Sequence, residues 1–301
     1  MISREHIDST RGTLAPLRLA AMRPVAVITG GGTGIGAATA HRLAQDGFDI
    51  VVCGRRAQPL EDTAAAIEAA YGTGGPGGPG GTRGVTARAV VMDVSDRASV
   101  LAAADVIGRC DVLVNNAGGA IGAERIEDGK PDEWRAMWES NVLGVLHVTQ
   151  AFLPALRRSS TGGTIVVVSS IAGLLVYEGG AGYTSAKHGA TAVVETLRLE
   201  LAGEPIRVVE VDPGMVWTDG FSLTRFHGDQ SKADAVYAGV DRPLVAEDVA
   251  ECIAFCVRVP QHVNIDRLIV KPVAQAAPHK VIRGPIDWTR SAADGDGGSG
   301  G

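Results

Sequence analysis

Basic runs, paired cysteines and long apolar stretches are all missing from this chain, and each absence removes a class of function. Lysine and arginine total 28 against 34 aspartate and glutamate, a formal charge of −6, with no dense basic run. Nucleic acid or an anionic membrane would need such a run, so a small-molecule partner is expected instead. Only four cysteines, Cys53, Cys110, Cys252 and Cys256, are spread over 301 residues. They are too few for a disulfide framework and lack the spacing and nearby histidine of a zinc site, which predicts reduced core thiols. His147, His188 and His262 make no ligand pattern either, so no metal is expected. No apolar run approaches the roughly 20 residues of a membrane span, and Glu5, Asp8 and Arg18 interrupt any signal-like core near the start. The expectation is a cytoplasmic protein without a membrane segment. Repeats of fixed period are absent, which excludes solenoids and propellers.

What is present is an alternation. Short runs rich in Val and Ile, at 25–29, 49–53, 87–92, 111–115, 164–169, 207–211 and 268–270, alternate with longer segments of helical period. That pattern predicts repeated βαβ units around strands buried on both faces: one doubly wound α/β domain with a seven-stranded parallel sheet flanked by helices. Residues 1–22 are expected to be a disordered leader, 23–285 the folded catalytic domain and 286–301 a flexible tail. A Gly-rich insertion at 72–84 and the Gly/Asp-rich end carry too little apolar surface to offset chain entropy. Ligands of such sheets bind beyond the carboxyl ends of the strands, so residues just after strands deserve inspection.

After the first strand come Thr29-Gly30-Gly31-Gly32-Thr33-Gly34-Ile35-Gly36 and a helical stretch to Gln45. Glycines allow positive φ and bring backbone N–H groups close to a pyrophosphate at the positive end of the helix. Two registers fit, Gly30/Gly34/Gly36 or Gly32/Gly34/Ala37; a flexible turn without a ligand would also need glycines. The second strand ends about 20 residues later, as a Rossmann-type dinucleotide site requires. An NAD site usually offers an acid there, but this chain has Gly54-Arg55-Arg56. Two guanidiniums suit a 2′-phosphate and therefore NADP; both can equally be solvated side chains at a helix start. Asp93, followed by Val94, either meets the adenine or caps the next helix.

Tyr183 and Lys187 stand four residues apart on a stretch of helical period, so they project from one face, and Ser170 ends the fifth strand. Hydride transfer to a carbonyl creates an alkoxide that needs a proton, which a phenol can deliver; a nearby ammonium favours phenolate. Ser170 can hold the substrate oxygen, and Lys187 can also hold the nicotinamide ribose. Asn141, inside a long helix, can break helix regularity and hold a water. A Tyr–Lys pair alone is common on ordinary amphipathic helices; its combination with Ser170 and the glycine turn is not.

These motifs together resemble the short-chain dehydrogenase/reductase family over 23–272. They are the Gly30/Gly34/Gly36 turn, Asn115-Asn116-Ala117-Gly118, Asn141, Ser170, Tyr183 with Lys187, and Pro213-Gly214-Met215-Val216-Trp217-Thr218. The resemblance implies that Asn115, Ala117 and Gly118 shape the adenosine side of the site. It places Pro213, Gly214 and Val216 beside the nicotinamide and gives Thr218 its carboxamide or the phosphates. It also implies a homotetramer in which helices from the Trp134 and Tyr183 regions pack between subunits.

The stretches 221–229 and 260–265 are similar to those of NADP-dependent 3-hydroxy acid dehydrogenases, which act on serine-like substrates. The segment after Pro213-Gly214 departs from that branch by lacking a further glycine and carrying Trp217. Arg225 either grips a substrate carboxylate or bridges to an acid such as Asp229 within a lid. Three functions follow: a hydroxy-acid dehydrogenase, a reductase of another ketone or aldehyde such as a ketoacyl or secondary-metabolite carbonyl, or a non-catalytic NADP-binding protein.

Overall fold

The computed structural model describes residues 22–77 and 84–289. In chain order it contains β1 (Val25–Thr29), α1 (Gly34–Gln45), β2 (Asp49–Gly54), α2 (Ala57–Tyr71), β3 (Ala87–Val91), α3 (Arg97–Ile107), β4 (Val112–Asn115) and α4 (Pro131–Trp138). A π-helical segment (Glu139–Leu143) joins α4 to α5 (Gly144–Arg157). Then follow β5 (Gly163–Val168), α6 (Ala181–Glu200), β6 (Ile206–Pro213), α7 (Phe221–Arg225), α8 (Gln230–Tyr237), α9 (Ala246–Arg258) and β7 (Arg267–Val270).

The seven strands form one parallel sheet in the order β3-β2-β1-β4-β5-β6-β7. Strand side chains alternate between faces, and the sequence supplies apolar residues for both. Ala26, Ile28, Val52, Val114, Val166 and Val209 pack under α1, α2 and α9, while Val27, Val51, Leu113, Ile165 and Val208 pack under α3, α5 and α6. Two cores therefore sandwich the sheet. Strand order reverses between β1 and β4, and the crevice beyond their carboxyl ends is where the topology directs a ligand.

The seven strands lie where the alternation puts them, within about two residues. Shorter pairings escape a periodic reading: Val216–Trp217 pairs in parallel with Leu244–Val245, and Gln275–Ala277 forms a hairpin with Lys280–Val281. The tail expected from 286 needs correction at its start. The Ile286 N–H and Trp288 Nε1 donate to the Asp241 carboxylate, and the Arg242 guanidinium covers the Trp288 ring at 4.6 Å. One acid and one cation suffice to dock these residues. The rest of the tail, the leader through 21 and the glycine-rich 78–83 lie outside the described residues, whereas the flanking Gly72 and Gly77 donate to Glu68 and Ala70 carbonyls of α2. Asp93 does not cap the following helix; Asp96 does, accepting the Ala98 N–H at 2.9 Å.

Arg207 is a buried charge with a structural task. From β6 its guanidinium donates to the carbonyls of Cys256, Val257 and Val259 and to Thr164 Oγ1. It thereby caps the negative end of α9 and welds that helix to the sheet. Arg207→Met removes these donors and leaves carbonyls buried. Urea unfolding should show a loss of about 2–4 kcal/mol, with dinucleotide binding unchanged at temperatures where the variant stays folded.

Candidate functional site

The glycine turn is held from below. Thr29, the last residue of β1, accepts the N–H groups of Asn116 and Ala117 on its hydroxyl at 3.0 and 2.9 Å and donates to Val114 O. Asn116 Nδ2 donates back to Thr29 O at 2.9 Å and Gly30 O at 3.3 Å. Gly30 and Gly34 take φ of +65° and +53°, and a Cβ on Gly36 would collide with the Gly30 carbonyl. The register is therefore Gly30/Gly34/Gly36. Thr33 precedes α1 in an extended conformation without a side-chain cap, so the first N–H groups of α1, those of Gly34, Ile35 and Gly36, have no cap from it.

Around this turn stand the other expected contacts. Gly32 packs on Pro59 and Leu60 of α2, and just ahead of that helix Arg55 and Arg56 are exposed. The Asp93 carboxyl is held by the Ser95 N–H and hydroxyl. Burial opposes its charge, but the Ser95 bonds and the Arg55 charge win and hold it below its ordinary range. Val94 O accepts from His147, and Asn115 Nδ2 donates to Thr149 Oγ1 at 3.2 Å. Gly118, at φ +151°, leaves room for Asn141, whose buried Nδ2 donates to Gly119 O and Met137 O. Asn141 sits in the π-helical segment, as an irregularity at that point requires, and its Oδ1 has no partner among the described residues. Thr218 faces Gly34 across the crevice: a Cβ there would lie 3.5 Å from Thr218 Cγ2. Gly214 donates its N–H to Val270 O, and Val216 O accepts the Tyr237 hydroxyl.

At the reacting centre, Tyr183 and Lys187 are both buried on the first turns of α6, with the Lys187 Nζ 5.8 Å from the Tyr183 ring centroid. Nζ donates to Val168 O at 3.0 Å, which ties α6 to the end of β5. The Ser170 hydroxyl accepts the Ala172 N–H and donates to Pro213 O at 3.4 Å. Burial dominates the electrostatics. It raises the Tyr183 hydroxyl well above the ordinary tyrosine range, with Tyr177 adding to the effect and the Ser170 hydrogen bond and Arg225 charge opposing it. It also pushes Lys187 down to about 8, against Asp212 and Glu210. The lowered phenol expected from the Lys187 charge is thus not what this environment produces, because desolvation outweighs the Ser170 hydrogen bond and the Arg225 charge.

A short lid covers this centre. Phe221 of α7 meets the Tyr183 ring edge-on at 5.8 Å between centroids. At the other end of α7, Arg225 donates Nε to Gly122 O, Nη1 to the Tyr177 hydroxyl and Nη2 to Gly179 O. It does not bridge to Asp229, which instead caps α8 by accepting the Lys232 N–H. Its partners are neutral, and no carboxylate among the described residues ion-pairs with it. His227 Nε2 lies 3.5 Å from Glu133 Oε1 and, with Glu124, forms a grouping of ligand-capable atoms within 4.8 Å. Long sequence separation hid it, and here it latches the lid to α4. Thr29, Asn116, Tyr177 and Phe221 are given no role of their own by the pattern. Thr29 and Asn116 stand inside the quoted motifs, a Thr closing a strand before the glycine turn and the second Asn of Asn115-Asn116-Ala117-Gly118. A cavity of about 370 Å³ opens elsewhere, at the amino ends of β1, β2 and β3 beside Asp49, Glu68 and Arg88, remote from this chemistry.

The model of the short chain dehydrogenase family matches residues 24–225. The chain belongs to that family. An uncharacterized oxidoreductase of Mycobacterium tuberculosis is 48% identical over 87% of this chain and 96% of its own length. Sulfoacetaldehyde reductase 2 of Chromohalobacter salexigens is 34% identical over 91% of this chain and 100% of its own. The NADP-dependent 3-hydroxy acid dehydrogenase of Schizosaccharomyces pombe is 36% identical over 85% and 95%. Among solved structures, the closed form of a serine dehydrogenase complexed with NADP+ superposes with a TM-score of 0.75 at 29% identity, covering 89% of this short-chain dehydrogenase and 100% of that chain. Among the described residues no helix is long and apolar enough to cross a membrane.

If the turn is the phosphate cradle of this short-chain dehydrogenase, Gly36→Ala must push Gly30 out of place. Titration of NADPH fluorescence should show binding weakened about tenfold or more, equivalent to about 1.4 kcal/mol, with the circular dichroism spectrum retained.

Proposed function

We propose that this chain is an NADP(H)-dependent oxidoreductase that interconverts a hydroxyl and a carbonyl on a small anionic molecule, a 3-hydroxy acid of the serine type. The observation that carries the reading is Arg225: a half-buried guanidinium near Tyr183, oriented by three neutral acceptors, with no acid among the described residues to neutralise it. Those contacts leave one N–H on each Nη to offer a carboxylate. A half-buried guanidinium with no acid beside it favours an anion at that place.

NADP, when bound, supplies or accepts the hydride. Gly30, Gly32, Thr33, Gly34, Ile35 and Gly36 would hold its pyrophosphate on the first N–H groups of α1, and Arg55 with Arg56 its 2′-phosphate. Asp93 and Val94 would line the adenine, and Asn115, Ala117 and Gly118 the adenosine ribose. Pro213, Gly214, Val216 and Thr218 would line the nicotinamide. Tyr183, kept a neutral phenol by burial, donates the proton to the carbonyl oxygen in the reductive direction. Ser170 hydrogen-bonds the same oxygen, Lys187 anchors the nicotinamide ribose and stabilises the phenolate left behind, and Asn141 orders a water for proton return.

A second reading has support from Arg225 as well. A sulfonate offers its oxygens to the same N–H groups, and sulfoacetaldehyde reductase 2 is among the relatives. We also propose a cytoplasmic homotetramer: Trp138, Leu143 and Leu146 expose apolar surface on the face of α4 and α5, as helices packing between subunits would.

A panel of serine, other 3-hydroxy acids, sulfonated aldehydes and uncharged alcohols, followed by NADPH absorbance, tests the reading. Acids or sulfonates should turn over with NADP, and Tyr183→Phe should abolish this; binding of NADPH without any turnover would leave only a binding protein. Arg225→Ala should raise KM for the anionic substrates about tenfold or more while leaving uncharged alcohols within about twofold. Arg55→Ser with Arg56→Ser should cost about tenfold or more in affinity for NADP and little for NAD. The alkaline limb of activity should fall near pH 8, where Lys187 loses its charge.

A further inference from the structure

Strand β6 buries two carboxylates beneath the reacting centre. Glu210 and Asp212 point to one face of the strand, and both are completely buried. Their satisfaction is unequal. Glu210 accepts the Thr191 hydroxyl at 2.5 Å and two N–H groups of Arg267, its cross-strand neighbour on β7, with Arg198 4.0 Å away. Asp212 accepts the Ser170 N–H on Oδ1 at 3.2 Å, and its Oδ2 has only an ion pair with Arg267 Nε at 3.3 Å and no hydrogen bond. Burying such an acid carries a desolvation cost that an Asn or Val at this position would not incur. It sits directly beneath the residue that bears the Ser170 hydroxyl.

We propose that Asp212 is a positioning residue of the reacting centre: its carboxylate holds the Ser170 backbone at the end of β5 and sets a negative charge at the same strand end to which Lys187 Nζ is bonded through Val168 O. The charged and titratable groups in this neighbourhood come from several elements. Tyr183, Glu195 and Arg198 stand on α6 with Lys187, Glu210 on β6 and Arg267 on β7; from the lid and the loop before α6, Arg225 and Tyr177 act on Tyr183. Burial lowers Lys187 to about 8, and Asp212 is the first of the groups opposing it, followed by Glu210. Burial and Glu210 in turn raise Asp212 to about 7 against Arg267, the Ser170 N–H and Lys187. A carboxylate used only to bind strands would show no link to Lys187.

The proposal depends on the oxidoreductase reading for its kinetic arm alone. The other arm needs no substrate. The chain holds five lysines, Lys130, Lys187, Lys232, Lys271 and Lys280, so 13C-lysine labelling of the full-length protein resolves Lys187 by NMR, assigned with Lys187→Arg. Asp212→Asn should lower the Lys187 midpoint by about one pH unit or more, and Asp212→Glu should restore it. Asp212→Ser serves as a second charge-removing variant should the Asn variant fail to fold. With a substrate in hand, kcat at neutral pH should fall about tenfold, KM should stay within about twofold, and the alkaline limb should move down with Lys187. An unchanged Lys187 midpoint in a folded charge-removing variant overturns the proposal, as does a loss of kcat with an unmoved limb. If no substrate is turned over by the wild-type chain, the functional reading falls and the NMR titration still decides this one.

Discussion

Thr29 and Asn116 tie the carboxyl end of β1 to that of β4 where the two strands begin to diverge, and the crevice keeps its shape through that tie. The Thr29 hydroxyl takes two backbone N–H groups from the loop after β4, and the Asn116 amide returns bonds to Thr29 O, the last carbonyl of β1, and to Gly30 O just after it. Parallel strands part at this edge because their connections leave toward opposite faces of the sheet. Without a polar staple the backbone groups exposed by the parting would need water, and the glycine turn would have no fixed floor. Gly30, Gly34 and Gly36 can then adopt their close approach, and Gly118 can admit Asn141 from the far side.

Tyr183 and Lys187 above this floor are buried, and their electrostatics follow from that. Tyr183 and Lys187 move in opposite directions because burial penalises whichever form is charged, phenolate in one case and ammonium in the other. Arg225 from the lid opposes desolvation at Tyr183, while Asp212 and Glu210 from β6 oppose it at Lys187. The reacting pair is therefore set by groups on three different elements as much as by its own spacing on α6. The lid contributes twice, with Phe221 against the Tyr183 ring and Arg225 locked to Gly122, Tyr177 and Gly179.

Much of this architecture is legible in the order of the amino acids. The seven strands of the sheet follow from Val- and Ile-rich runs, most sharply in β1, β2, β4 and β5, which are buried on both faces; β6 adds Arg207, Glu210 and Asp212, and the edge strands β3 and β7 are partly exposed. The Tyr183–Lys187 spacing reads as one helix face, and Asn141 does interrupt its helix, in a π-helical segment. Elements of two residues, such as Val216–Trp217 with Leu244–Val245, carry no period to read. Asp93 and Asp96 are equally good caps as letters, and only backbone geometry assigns the role to Asp96. The docking of Trp288 on Asp241 joins positions that no local pattern connects.

By itself the sequence determined the sheet, the order of its strands' helices and the identity of the residues at the strand ends, since periodicity and turn chemistry act over a few neighbours. Only the tertiary structure decided which glycine register is used, that burial rather than Lys187 governs the Tyr183 hydroxyl, that Arg225 is held by neutral acceptors, and that Asp212 lies under Ser170. Each of these depends on distance and desolvation between residues far apart in the chain, and neither quantity exists until the two cores have closed on the sheet.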